Sequence, residues 1–195
     1  MTLNTYCAGF WFPFFRHKFH NLLLSESVEH ARHALAIDDE RLTFHPKIWE
    51  PEIKPYQTMK QIWFPGMHTD VGGGYKEYEL SDIPLIWMSE EAKRAGLRIY
   101  PKHKVKTNPD ADGFMHDSRK GFPGFLFRKK TRTWNTKTHC KPVIHESSLL
   151  RKLNKDNSSD PPYKPWIFDL DLELEVEPWP ESQRSIDHIE STIVY

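Results

Sequence analysis

An α/β protein with a mostly parallel sheet is what the sequence predicts. Three observations carry this: a short apolar run stopping at Pro65-Gly66, a glycine-rich stretch after it, and a helical pattern opened by a serine. In such a unit, ligands gather at the carboxyl end of the strand. The strand is Lys60 to Phe64 (KQIWF), and the loop runs through Gly72, Gly73 and Gly74. The helix covers Asp82 to Ala95, with Ser81 as N-cap, Pro84 tolerated in the first turn and Gly96 as terminator.

Other elements follow from periodicity. Ser25 to Ile37 (SESVEHARHALAI) sets Val28, Ala31, Ala34 and Leu35 on one side behind a serine, which predicts an amphipathic helix. A short helix is expected around Ser147 to Leu153. Asp156 to Pro165 (DNSSDPPYKP) reads as a linker. Phe168 to Glu177 (FDLDLELEVE) alternates apolar and acidic residues without a break, which predicts a strand with one wet face.

With 195 residues the chain is long enough for one domain with a core, plus an appendage. Fifteen prolines against nine glycines exclude a coiled coil or a collagen-like rod. No apolar run approaches the roughly 18 residues of a membrane span. Tyr6 to Phe15, the nearest candidate, contains Pro13 and lacks the features of a signal peptide. Cys7 and Cys140 are far apart and form no CxxC, so a reduced, cytoplasmic compartment is the default expectation.

The formal charge of zero hides a dipole. Residues 1–101 are net −2, residues 102–155 net +10 and residues 156–195 net −8. Either the two blocks face each other or one awaits a ligand. The acidic strand also reads as an edge strand protected by its charge.

The densest chemical signal is Phe64 to Tyr75 (FPGMHTDVGGGY). A histidine just past a strand end is held on one side and open on the other, and its ordinary pKa suits general base work, so His68 is the candidate base. Gly72, Gly73 and Gly74 permit tight turning and close approach to a ligand, with amides open to anions. The plainer alternative is a flexible turn beside a surface histidine. A phosphate-binding P-loop is disfavoured, because the lysine and Ser/Thr of GxxxxGK[ST] are missing.

WFPGMHTDVGGGY followed by LSDIPLIWMSEEAKRAGL resembles an α/β-hydrolase family related to the phospholipase effectors of type VI secretion systems. HNLLLSESVEHARHALAIDDERLTFHPKIWEP upstream, and MHDSRKGF and IHESSLLRKL downstream, are similar to other segments of that family, so the resemblance spans roughly His20 to Leu153. It implies a sheet incomplete at its N-terminal side. It also implies a serine esterase triad in which His68 takes the proton from a serine in a GxSxG elbow. No GxSxG occurs in this sequence. The position of the orienting acid corresponds to Asn4, a degenerate replacement, and Asp70 is expected to steady the loop beside His68. Secretion as an effector becomes an expectation alongside the cytoplasmic default.

His116 and Asp117, adjacent in MHDS, are candidates for substrate binding through the resemblance, with a structural hydrogen-bond cluster as the alternative. Arg119, Lys120, Arg128, Lys129, Lys130 and Arg132 surround Phe122, Phe125, Leu126 and Phe127, a composition suited to an anionic membrane surface. Single-stranded nucleic acid is the weaker partner. His17 with His20, and His30 with His33, have i, i+3 spacing, but nothing places further ligands, so no metal or cofactor is expected. The expected organisation is a hydrolase-like part at 1–98, a basic accessory region at 99–155 and an acidic tail at 156–195. The expected function is the histidine-bearing C-terminal portion of a phospholipase-like serine esterase, inactive without its serine and dependent on an upstream fragment. The alternative is a non-catalytic lipid-surface or interaction module.

Overall fold

The computed structural model describes residues 3–5, 17–19, 22–41, 45–99, 105–117, 130, 132, 134, 141–158 and 160–184, the first two stretches by their backbone alone. Two short strands, β1 (Leu3–Thr5) and β2 (His17–Phe19), pair antiparallel. The main sheet has the order β3-β4-β5-β6 and is parallel throughout: β3 is His30–Ala36, β4 Thr58–Phe64, β5 Val143–His145 and β6 Glu175–Glu177. The helices are α1 (His68–Gly72), α2 (Glu79–Arg94) and α3 (Glu146–Asp156). The α/β class holds, and the sheet draws strands from all three charge segments.

The helix expected over Ser25 to Ile37 is instead a turn followed by β3. Val28 N–H bonds Ser25 O, and Gln57 Nε2 donates to the carbonyls of Ser25 and Val28, which fixes the chain's entry into the strand. Ala31 and Leu35 fit a helical face and an alternating one equally well. Buried Ile37, two beyond Leu35, completes a period of two, and a seven-residue parallel register with β4 supplies the pairing that overrides helix propensity. On a strand, His30 and His33 point to opposite faces, so their spacing no longer brings the rings together.

Both faces of the sheet are covered. Ala36, Ile62 and Phe64 face α2 and pack with Leu80, Ile83 and Trp87. Leu35, Ile37, Trp63 and Ile144 face the other way, onto Ile167 with Trp134, Trp166 and Leu174. Trp134 and Trp166 approach Trp63 edge-on at 6.0 and 5.4 Å, the offset geometry aromatic rings prefer. Between β3, β4 and α2, buried Glu91 gathers Arg32 (2.6 Å), Lys60 (3.1 Å) and Arg94 (2.5 Å). Burial alone would raise its carboxyl, but bonds from Arg32 and Lys60 hold it below the usual range.

Helix α2 begins at Glu79, three residues earlier than expected. Ser81 therefore lies inside its first turn, donating to Tyr78 O rather than capping, and Pro84 falls in the second turn. The C-terminus ends as expected: Gly96, at φ +91°, donates to Lys93 O while Leu97 N–H reaches Ala92 O. The short helix near Ser147 is present and runs longer, as α3.

The alternating segment Phe168 to Glu177 is not one strand. A single 3-10 turn covers Trp166–Asp169, Leu172 N–H folds back onto Leu170 O, and only Glu175–Glu177 pairs, as the edge strand β6. Alternation survives without the ladder, because Phe168, Leu170 and Leu174 still pack under Trp63. The acidic face is not uniformly wet: Glu177 Oε1 accepts from Lys60 Nζ (2.7 Å) and Trp87 Nε1 (3.1 Å).

Candidate functional site

The carboxyl ends of β3 and β4 lie side by side, Ala36 opposite Phe64, so the residues that follow them converge. After β3 come Asp38 and Asp39; after β4 come Pro65, Gly66, Met67 and the one-turn helix α1 that opens with His68. Gly66 is required here. Its φ is +109°, and a Cβ would stand 2.6 Å from Asp70 Cβ.

His68 is exposed and lines a crevice of about 350 Å³. Its companions are Ala34 and Ala36 from β3, Val71, Gly72 and Gly73 from α1, and Ser81, Pro84, Leu85 and Met88 from α2. The lining is mostly apolar, with the imidazole as its basic group. Gly72 ends α1, and Gly73 (φ +81°) donates to Thr69 O, so that amide closes the helix rather than standing open to an anion. Gly74 follows at φ +120°. Two of the three predicted glycines therefore border the crevice.

Asp70 is buried on the opposite side of α1. Its Oδ1 lies 2.6 Å from His116 Nδ1, and its Oδ2 accepts the main-chain N–H groups of Met67 and His116, both at 3.1 Å. Tyr75 stacks on the His116 ring at 3.6 Å, and Glu77 Oε2 lies 3.5 Å from its Nε2. Asp70 and His116, picked separately from the sequence, are thus brought together, but away from the His68 crevice. Asp117 is at the surface. Asn4 lies on β1, where only the backbone is described.

Asp38 and Asp39 were missed by sequence reasoning. Asp39 Oδ2 accepts His68 N–H (3.3 Å), and its two oxygens take Arg41 Nε (3.0 Å) and Nη2 (2.7 Å). Burial pushes this carboxyl up, but Arg41 and the charge of Arg132 bring it below the usual range. Asp38 Oδ2 accepts Gly66 N–H (2.7 Å) and the Tyr163 hydroxyl (2.8 Å). Here burial wins and lifts the carboxyl to about 6 against the pull of those two bonds and of Arg151 and Arg132. No local spacing marks this pair, because its role depends on β3 pairing in parallel with the strand before His68.

Of the basic run, Arg119, Lys120, Arg128 and Lys129 lie outside the described residues. Lys130 is exposed. Arg132 departs from the expectation of a surface cation: it is buried, donates to Asp39 O (2.9 Å) and to Ala36 O, and stands over Trp63 at 5.4 Å. Burial lowers its pKa to about 10. Among the described residues no group of three or more metal-ligating side chains forms, and no helix is long and apolar enough to cross a membrane.

A parallel sheet flanked by helices, with an exposed histidine just past the carboxyl end of one strand and lining a crevice between β3 and α2, defines an α/β protein. Residues 5–91 match the family model described as T6SS, Phospholipase effector Tle1-like, catalytic domain. This stretch, just under half of the chain, is related to the catalytic domain of type VI secretion phospholipase effectors. It contains His68, Asp70 and the glycines and stops before His116. No curated protein and no solved structure matches the chain.

Proposed function

We propose that this chain supplies the histidine-bearing portion of a serine esterase acting on phospholipid acyl esters. The observation that carries the reading is His68 at an apolar crevice beyond β4, inside the stretch related to phospholipase catalytic domains. An acyl chain would lie along Ala34, Ala36, Val71, Leu85 and Met88. The imidazole at their rim would take the proton from a serine hydroxyl as its oxygen attacks the ester carbonyl, then give it to the leaving alcohol. These 195 residues hold no GxSxG, so the serine would come from a separate segment, and the chain alone is inactive. Exposed Lys130 would meet an anionic lipid surface.

The test is turnover of a p-nitrophenyl ester and of phosphatidylethanolamine vesicles. It compares the chain alone with the chain mixed with a polypeptide carrying the GxSxG portion of a related effector. Silence alone and activity in the mixture, abolished by His68→Gln, is the expected result. Turnover that survives His68→Gln overturns the role of His68. Vesicle binding without turnover in any mixture would instead make the chain a lipid-surface module.

A further inference from the structure

Three consecutive main-chain amides of the turn between β4 and α1 donate to three different carboxylates. Gly66 N–H goes to Asp38 at 2.7 Å, Met67 N–H to Asp70 at 3.1 Å and His68 N–H to Asp39 at 3.3 Å. Such a turn is held from outside itself, since side chains of Asp38 and Asp39 arrive from the end of the neighbouring strand. Each of the three aspartates is held in turn by a residue beyond the stretch related to the phospholipase domains. The Tyr163 hydroxyl donates to Asp38 (2.8 Å), His116 Nδ1 stands against Asp70 (2.6 Å), and Arg132 Nε donates to the main-chain oxygen of Asp39 (2.9 Å). Tyr163 is itself buried, with Arg151 at 5.5 Å over its ring.

We propose that His116, Arg132 and Tyr163 are positioning residues that fix the His68 turn through Asp38, Asp39 and Asp70. A buried carboxylate that loses a donor gains a desolvation cost and turns toward any water it can reach, releasing the amide it holds. Of the three, His116 and Tyr163 give the cleanest test. His116→Ala removes the ring donor to Asp70 Oδ1 and leaves the main-chain donors on Oδ2, whereas His116→Asn keeps an N–H near the place of Nδ1. Tyr163→Phe deletes one hydroxyl and leaves the ring. Arg151 and Arg132 are the cations that face Asp38 in either case.

The proposal rests on the preceding reading only for the importance of His68, and its test uses no substrate, so the two can fail separately. Amide hydrogen exchange of the full chain, resolved by residue, is the measurement. Exchange at Gly66, Met67 and His68 is expected to quicken at least tenfold in His116→Ala and in Tyr163→Phe. Ile62 and Ile144, in the same sheet, should stay within twofold, and His116→Asn should return the turn to within about threefold of the native chain. Unchanged exchange at 66–68, equal quickening across the sheet, or failure of His116→Asn to restore protection would each overturn it.

Discussion

His68 and His145 occupy matching places in the fold, the first exposed and the second buried. Each stands at the carboxyl end of one of two adjacent parallel strands and introduces a helix. His145, the last residue of β5, is wholly buried, stacks on Phe64 at 4.6 Å and uses Nδ1 to accept from Ser147 N–H as the cap of α3. Burial, aided by the charge of Arg184, pushes its ring down to about 3, so at neutral pH it is an uncharged piece of core. His68 faces the crevice and solvent. The end of a parallel strand offers the same place to an imidazole in both cases, and burial decides whether the ring becomes part of the core or stays open to a ligand.

The largest expected effect separates the two by function. In the reconstituted mixture His68→Gln should lower turnover on the order of a hundredfold to ten-thousandfold, the usual worth of a general base, while leaving thermal stability near native. His145→Gln should do the reverse, lowering the melting temperature with little effect on turnover per folded molecule.

Acid should then sharpen the contrast. Between its ordinary pKa of 6.5 and its folded value of about 3, His145 is protonated in the unfolded chain and neutral in the folded one. Stability from this group therefore falls as pH drops through that window, by about 1.4 kcal/mol per unit. Asp38 runs the other way. Its carboxyl, lifted to about 6 from 3.8, binds its proton first in the folded chain, so its contribution grows as pH falls through the same range. The two oppose each other between pH 6 and 4. Denaturant titrations should show the gap between native and His145→Gln narrowing as pH falls; a constant gap would mean that His145 is not the buried neutral group described.

Gly66→Ala comes next, since the added methyl meets Asp70 Cβ at 2.6 Å on a backbone at φ +109°. About 1–3 kcal/mol of lost stability is expected, read by denaturant unfolding. The smallest effect belongs to Leu85→Ser on the crevice wall, where the side chain is already exposed; stability should stay within about 0.5 kcal/mol. Turnover of long-chain esters should drop more than that of short-chain ones if this wall receives the acyl chain.

Local signals were legible where one element decided its own fate. The strand before Pro65, the terminator Gly96 and α3 could all be read from a few neighbouring residues. His30 to Ala36 could not, because Ala31 and Leu35 satisfy both periods and only the seven-residue partnership with β4 chooses between them. The acidic segment failed for a related reason: alternation reports burial, and Phe168 to Leu174 bury one side without pairing to a strand. At the site, His68 announced itself through the glycines around it. Asp38, Asp39 and Tyr163 did not, since their meaning comes from contacts across the fold that no local spacing encodes.

The carboxylate-held turn also bears on synthesis. Strands β3 to β6 lie in the sheet in the order in which they are made, so the ribosome delivers the His68 turn well before His116, Arg132 and Tyr163 exist. A nascent chain that has extended only through α2 carries Asp38, Asp39 and Asp70 without those three donors. Vectorial folding thus leaves the histidine's turn unsecured until Tyr163 has emerged, long after the residues of the turn itself.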